Sequence, residues 1–94
     1  MKSVFDFSRT EIIVKLASKF SNVLMSRSLG KQAVSGIEKF KEVVLDYEGI
    51  EEIGQGFADE IYRIFTKTHP DASLFNANCI SYVSFMIGRG KKSD

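Results

Sequence analysis

The sequence predicts a small α/β domain: a mixed, mostly parallel sheet of four strands covered by about three helices. Three observations carry this. Strand-like and helix-like segments alternate after the first twenty residues, which implies parallel strands joined by crossovers. Val43-Val44-Leu45 is a run of three apolar residues, as in a strand covered on both faces. Phe57, Ile61, Ile64 and Phe65 recur at helical spacing and give one inward face.

Residues 11 to 20, EIIVKLASKF, fit two patterns. Ser8 and Glu11 read as a capping box ahead of a helix with Ile12, Ile13, Leu16, Ala17 and Phe20 on one side. Ile12, Val14 and Leu16 also alternate as in a strand, and β-branched residues are dense. Both readings stand on periodicity. Ser21-Asn22 reads as a turn and Val23-Leu24-Met25 as a short strand. Ser28 is placed to cap a helix from Leu29 to Phe40 that buries Ala33, Val34, Ile37 and Phe40, although Gly30 and Gly36 each weaken it by roughly 1 kcal/mol relative to alanine.

Lys41 to Tyr47 is the clearest strand, followed by a loop from Glu48 to Gly56 in which Ile50 and Ile53 plug the end of the core. Phe57 to Thr68 is the clearest helix, with acids early and bases late to suit its dipole. Pro70 ends it and holds His69 out of the helical region. Ala72 to Phe75 reads as a strand, Asn76 and Asn78 as turn and cap, and Cys79 to Gly88 as a helix burying Ile80, Val83, Met86 and Ile87. Residues 1 to 21 are then an N-terminal segment packed on the domain, 22 to 88 its core, and 89 to 94 a tail without an apolar anchor, expected to fray.

With 94 residues, 44% of them hydrophobic and 27% charged, the chain has the composition of one globular domain. No apolar run reaches the ~18 residues of a membrane span, and Asp6, Arg9 and Glu11 break the apolar core that a signal peptide needs. A single cysteine makes no internal disulfide, so the cytoplasm is the expected setting. The net charge of +1 gives no global attraction to nucleic acid or to an anionic membrane. Charge is uneven, however: Glu48, Glu51, Glu52, Asp59 and Glu60 fall within fourteen residues that contain no base. Such a run reads first as a solvated loop and helix start, and second as a docking patch for a basic partner.

Catalytic chemistry finds little to work with. The one histidine, His69, lacks evident orienting partners, and Cys79 beside Ile80 reads as a small buried hydrophobe. Asp46, Glu48, Asp59 and Glu60 match no calcium or zinc spacing. Gly54-Gln55-Gly56 lacks the Lys-Ser/Thr of a phosphate loop and the third glycine of a dinucleotide fingerprint. No cofactor, no metal and no enzymatic activity are therefore expected. Lys15, Lys19, Arg27, Lys31, Lys39 and Lys41 lack interleaved exposed aromatics and any known reading motif, which argues against direct nucleic-acid binding. Arg27 and Lys31, at the amino end of the first long helix, are candidate anion contacts.

One stretch supports a resemblance. Val43-Val44-Leu45-Asp46-Tyr47-Glu48-Gly49-Ile50, continuing to Ile53-Gly54-Gln55-Gly56-Phe57-Ala58-Asp59-Glu60-Ile61, resembles the core of STAS domains. Together with Ser26-Arg27-Ser28, His69-Pro70 and Asn76-Ala77-Asn78, it is more similar to the bacterial and phage family called STAS-like domains of unknown function. The resemblance spans roughly residues 22 to 88 and implies a small STAS-like α/β sandwich and no established biochemical activity; the leading expectation drawn from it is a non-enzymatic protein-binding regulator. STAS domains of the anti-anti-sigma type bind a partner, often a kinase-like ATPase, and are switched off by phosphorylation of a serine at the start of the helix after the central strand. The matching positions here are Gly54, Gln55 and Gly56, so no hydroxyl is available and the switch is not carried over. The expected contact surface is Glu51, Glu52, Gln55, Gly56, Asp59, Glu60 and Arg63. The alternative reading is a stand-alone phage or mobile-element inhibitor of a nucleic-acid-handling defence complex, its acids mimicking phosphate; a metal-assisted enzyme using Asp46 and Asp59 comes last. The chain is expected to be a monomer or a homodimer.

Overall fold

A computed structural model describes residues 11–37 and 39–92; the Ser8 capping-box reading and residues 93–94 lie outside them. Both readings of residues 11 to 20 are partly realised. Glu11–Lys15 is a strand, β1, and Leu16–Lys19 a single helical turn, α1. The β-branched residues take the strand, and Leu16 turns fully into the core. Then follow β2 (Val23–Leu24), α2 (Arg27–Ala33), β3 (Glu42–Asp46) and β4 (Glu52–Ile53). A composite helix comes next, made of α3 (Gln55–Asp59), a π-helical segment (Glu60–Phe65) and α4 (Thr66–Thr68). β5 (Ser73–Ala77) and α5 (Ser81–Lys92) complete the described chain.

The α/β class holds, but the expected four-stranded mixed sheet is two parallel ladders: β1-β3-β5 and β2-β4. In the larger ladder Ile12, Val43 and Leu74 stand in register, as do Val14, Leu45 and Asn76. Their side chains share one face by the period-2 alternation of strands. That face meets the helices: Val14, Val43 and Leu45 lie in one buried cluster with Phe57, Ile61, Val83 and Ile87. Ile13, Val44 and Phe75 form the matching row on the opposite face, where Ile13 and Phe75 are exposed.

α2 is shorter than expected and starts earlier. Ser26, not Ser28, caps it by accepting from Leu29 N at 3.1 Å, a contact typically worth about 1 kcal/mol. The helix ends at Ala33, and Gly36 takes a left-handed backbone, φ +82°. Val34 and Ile37 still reach the core from this unwound stretch.

The composite helix departs from ideal periodicity. Its π segment widens the turn, so Tyr62 occupies an inward position and Ile64, expected inside, is only half-buried. Ile50 and Ile53 are buried as expected. Ile53 belongs to β4, a strand too short to leave a sequence signal; it pairs with β2 through the register Leu24–Ile53.

α5 buries Val83, Met86 and Ile87, but Ile80 precedes the first helical turn and is half exposed. The helix also continues through residues expected to fray, reaching Lys92. Gly90 explains this: a Cβ there would stand 2.9 Å from Ala58 Cβ, so the two backbones pack closely enough to anchor the last turns on α3.

Candidate functional site

The helix start that follows β4 carries Gln55 and Gly56, two residues of the expected contact surface. The β2–α2 connection lies against it. Gly54 N donates to Leu24 O at 2.9 Å. A Cβ on Gly54 would fall 2.6 Å from Met25 O, and one on Gly56 3.2 Å from Arg27 N. Both glycines are therefore explained by a chain crossing. A side chain at position 54 of the kind a STAS switch carries would collide with backbone.

The acidic run divides in two. Asp59 and Glu60 are buried, at 4% and 7% exposure, which corrects their placement on a solvated face. Arg27 Nη1 reaches Asp59 Oδ2 at 2.8 Å and Glu60 Oε1 at 3.4 Å. Arg63, one turn on, donates from Nε to Asp59 Oδ1 at 2.6 Å and from Nη2 to Oδ2 at 3.0 Å, a bidentate pair. The Arg63 hydrogen bonds, reinforced by those from Arg27, hold the Asp59 carboxyl down at about 2 despite its desolvation. Asp59 in turn, with Glu60, raises the Arg27 guanidinium above its ordinary value. Arg27, Asp59, Glu60 and Arg63 thus form one ion cluster that ties α2 to the composite helix. A buried polar group needs such partners, and here it has them.

The other expected contact residues lie apart from this cluster. Glu51 is exposed and accepts from Asn22 Nδ2 at 3.4 Å; Glu52 is half-buried in β4. Lys31, half of the candidate anion pair, lines a shallow cavity of about 220 Å³ with Glu60, Phe65 and His69. His69 ends α4, where its ring stacks on Phe65 with centroids 4.5 Å apart and Nδ1 lies 3.2 Å from Phe65 O. This is the helix-end role read from the sequence.

Gln55 is the member of the set that points elsewhere. Its Oε1 accepts from Arg89 Nε at 3.3 Å, joining the start of α3 to α5. The Arg89 guanidinium sits 5.9 Å from the centre of the Phe85 ring. Tyr82, Phe85 and Arg89 share the outer face of α5 at helical spacing, and Phe85 is 59% exposed. Exposed Met25 packs its backbone against Gly54, the residue before Gln55. Arg89 was expected in a frayed tail, and α5 instead carries it on a helical turn. The missed signal was the i, i+4 relation of Phe85 and Arg89, which matters only once the helix runs to Lys92.

A second polar group lies at the carboxyl ends of β3 and β5. Tyr62 hydroxyl donates to Asn76 Oδ1, which leaves Tyr47 as donor to Tyr62 across 2.6 Å. Burial pushes both phenols well above their ordinary value. Asp46 accepts from Asn78 Nδ2 at 2.9 Å and Glu48 N at 3.0 Å, and these bonds lower its carboxyl. Asn78 reaches Asp46 from a left-handed backbone, φ 60°, which asparagine tolerates. Asp46 and Asp59 each have their own partners and belong to separate networks. Among the described residues no group of three or more His, Cys, Asp or Glu is placed to hold a metal ion, and no helix is long and apolar enough to cross a membrane. Burial raises the Cys79 thiol, away from the reactive range.

Parallel strands, helices packed on the sheet and a loop-to-helix transition after the central strand define an α/β domain of STAS-like type. A family model described as STAS-like domain of unknown function (DUF4325) matches residues 30–78, just over half of the chain, and the chain belongs to this family. No curated protein and no solved structure gave a match. The matched span holds both glycines, the ion cluster apart from Arg27, and the Tyr47–Tyr62–Asn76 chain; the α5 ridge lies beyond it.

Proposed function

We propose that this chain is a protein-binding regulatory module without enzymatic activity, working in the cytoplasm, and that its partner docks on the ridge formed by Gln55, Phe85 and Arg89, with Tyr82 and Met25 at its margins. The observation that carries this is Phe85: a ring 59% exposed, braced by a guanidinium that Gln55 holds in place. Aromatic rings, arginine and methionine are the residue types enriched at interfaces, and pre-positioned side chains lose less entropy on binding. A kinase-like ATPase is the partner class that the STAS resemblance suggests. Phosphate mimicry toward a defence complex is less well supported, because Asp59 and Glu60 are internal and neutralised by arginines.

The test is identification of the protein that co-purifies with the full chain, followed by affinity measurements on variants. Phe85→Ser is expected to weaken binding by tenfold or more, at the level of an interface hot spot, roughly 2 kcal/mol. Glu51→Lys should change it little. Equal affinity for the Phe85 variant and the parent would sink the ridge. Recovery of nucleic acid with no protein would sink the reading as a whole.

A further inference from the structure

β1 is an edge strand, since the ladder runs β1-β3-β5. Its inner side is satisfied by β3, from Glu11–Glu42 to Lys15–Asp46. On its outer side no described residue supplies a backbone partner. A groove of about 360 Å³ is lined by Ile12 to Lys15, by Ser18 and Lys19, and by Ser35 to Ile37. Unpaired strand edges of this kind recruit further strands.

The strand's own sequence indicates which one. Glu11-Ile12-Ile13-Val14-Lys15 is complementary to itself when read antiparallel. With a two-fold axis at Ile13, Glu11 stands opposite Lys15 of a second copy, Ile12 opposite Val14, and Ile13 opposite Ile13. Glu11, Ile13 and Lys15 all project from the exposed face, where Ile13 is 57% exposed, while Val14 is buried on the other. Parallel pairing in the same register would set Glu11 on Glu11 and Lys15 on Lys15. A slip by one residue would turn the exposed set toward the core.

We propose that β1 pairs antiparallel with β1 of a second copy of this chain, joining two three-stranded ladders into one six-stranded sheet. Opposite charges at Glu11–Lys15 close both ends of the pair, and the two Ile13 side chains meet at its centre. The interface is symmetric and therefore closes at two copies. Five residues per strand bury less than a standard interface, so the dimer is a weak, concentration-dependent one. The pairing is independent of the α5 ridge.

Sedimentation equilibrium of the full chain over a range of concentrations should show a reversible monomer–dimer system. Lys15→Glu should raise the dissociation constant about tenfold, two attractive pairs having become repulsive. Adding Glu11→Lys to it should restore the parent value. In a Cys79→Ala background, Ile13→Cys should form a disulfide-linked dimer with oxidised glutathione, because residues opposed in an antiparallel pair lie about 4.5–5.5 Å apart at Cα, within disulfide reach. Ile12→Cys should not. A chain that stays monomeric throughout overturns the proposal. So does a dimer indifferent to the charge reversals, or one in which Ile12→Cys links as readily as Ile13→Cys.

Discussion

The start of the composite helix and the outer face of α5 are joined by the Gln55–Arg89 hydrogen bond, yet they use their side chains in opposite ways. At the helix start, charge is internal: Asp59 and Glu60 lie beneath Arg27 and Arg63, and Gly54 and Gly56 admit a crossing backbone. On α5 an apolar ring points outward and is held there by a cation. The acids in the sequence helped to mark the first region as a contact surface, and two of the five, Asp59 and Glu60, are instead paired with arginines inside the fold. A carboxylate on a helix is a surface group only if nothing packs over it. Arg27, brought in by the β2–α2 connection, packs over this one.

If the helix start is structural and the ridge is not, substitutions should separate the two by stability. The largest effect is expected at Gly54. Gly54→Ala places a methyl group on Met25 backbone, which cannot rotate away, and should cost about 3 kcal/mol, read from the midpoint of urea unfolding. A near-neutral result would mean that the crossing is loose. Next comes Tyr62→Phe, which strips the hydroxyl between Tyr47 and Asn76 and leaves buried polar atoms unpaired, at about 2 kcal/mol. Asp59→Asn should cost about 1 kcal/mol, less than a fully buried pair because both arginines retain contact with water.

The same substitution has a pH signature. Asp59 and Asp46 bind protons more weakly in the folded state than in the unfolded chain, where an aspartate titrates near ~3.9. The stability they contribute is therefore fully present above that value and is lost as pH falls through it toward about 2, the folded value of Asp59. Acid titration of the unfolding midpoint should show a shallower loss for Asp59→Asn than for the parent. The smallest effect on stability belongs to the ridge. Phe85→Ser should change it by no more than about 0.5 kcal/mol while removing the proposed contact. A large destabilisation by Phe85→Ser would erase the contrast between the two regions.

Much of the fold is legible in the sequence because it depends on local pattern. Val43-Val44-Leu45 is the central strand, Phe57, Ile61 and Phe65 face inward, Ile50 and Ile53 plug the core, and His69 ends its helix ahead of Pro70. The absence of a hydroxyl at Gly54-Gln55-Gly56 is equally a property of the sequence. Tertiary structure decided what depends on neighbours distant in the chain. β4 exists because it pairs with β2; Asp59 is buried because Arg27, thirty-two residues earlier, covers it; α5 extends because Gly90 seats on Ala58. Periodicity records which residues can share a face. It does not record which faces meet, and burial, ion pairing and the exposure of Phe85 all follow from that meeting.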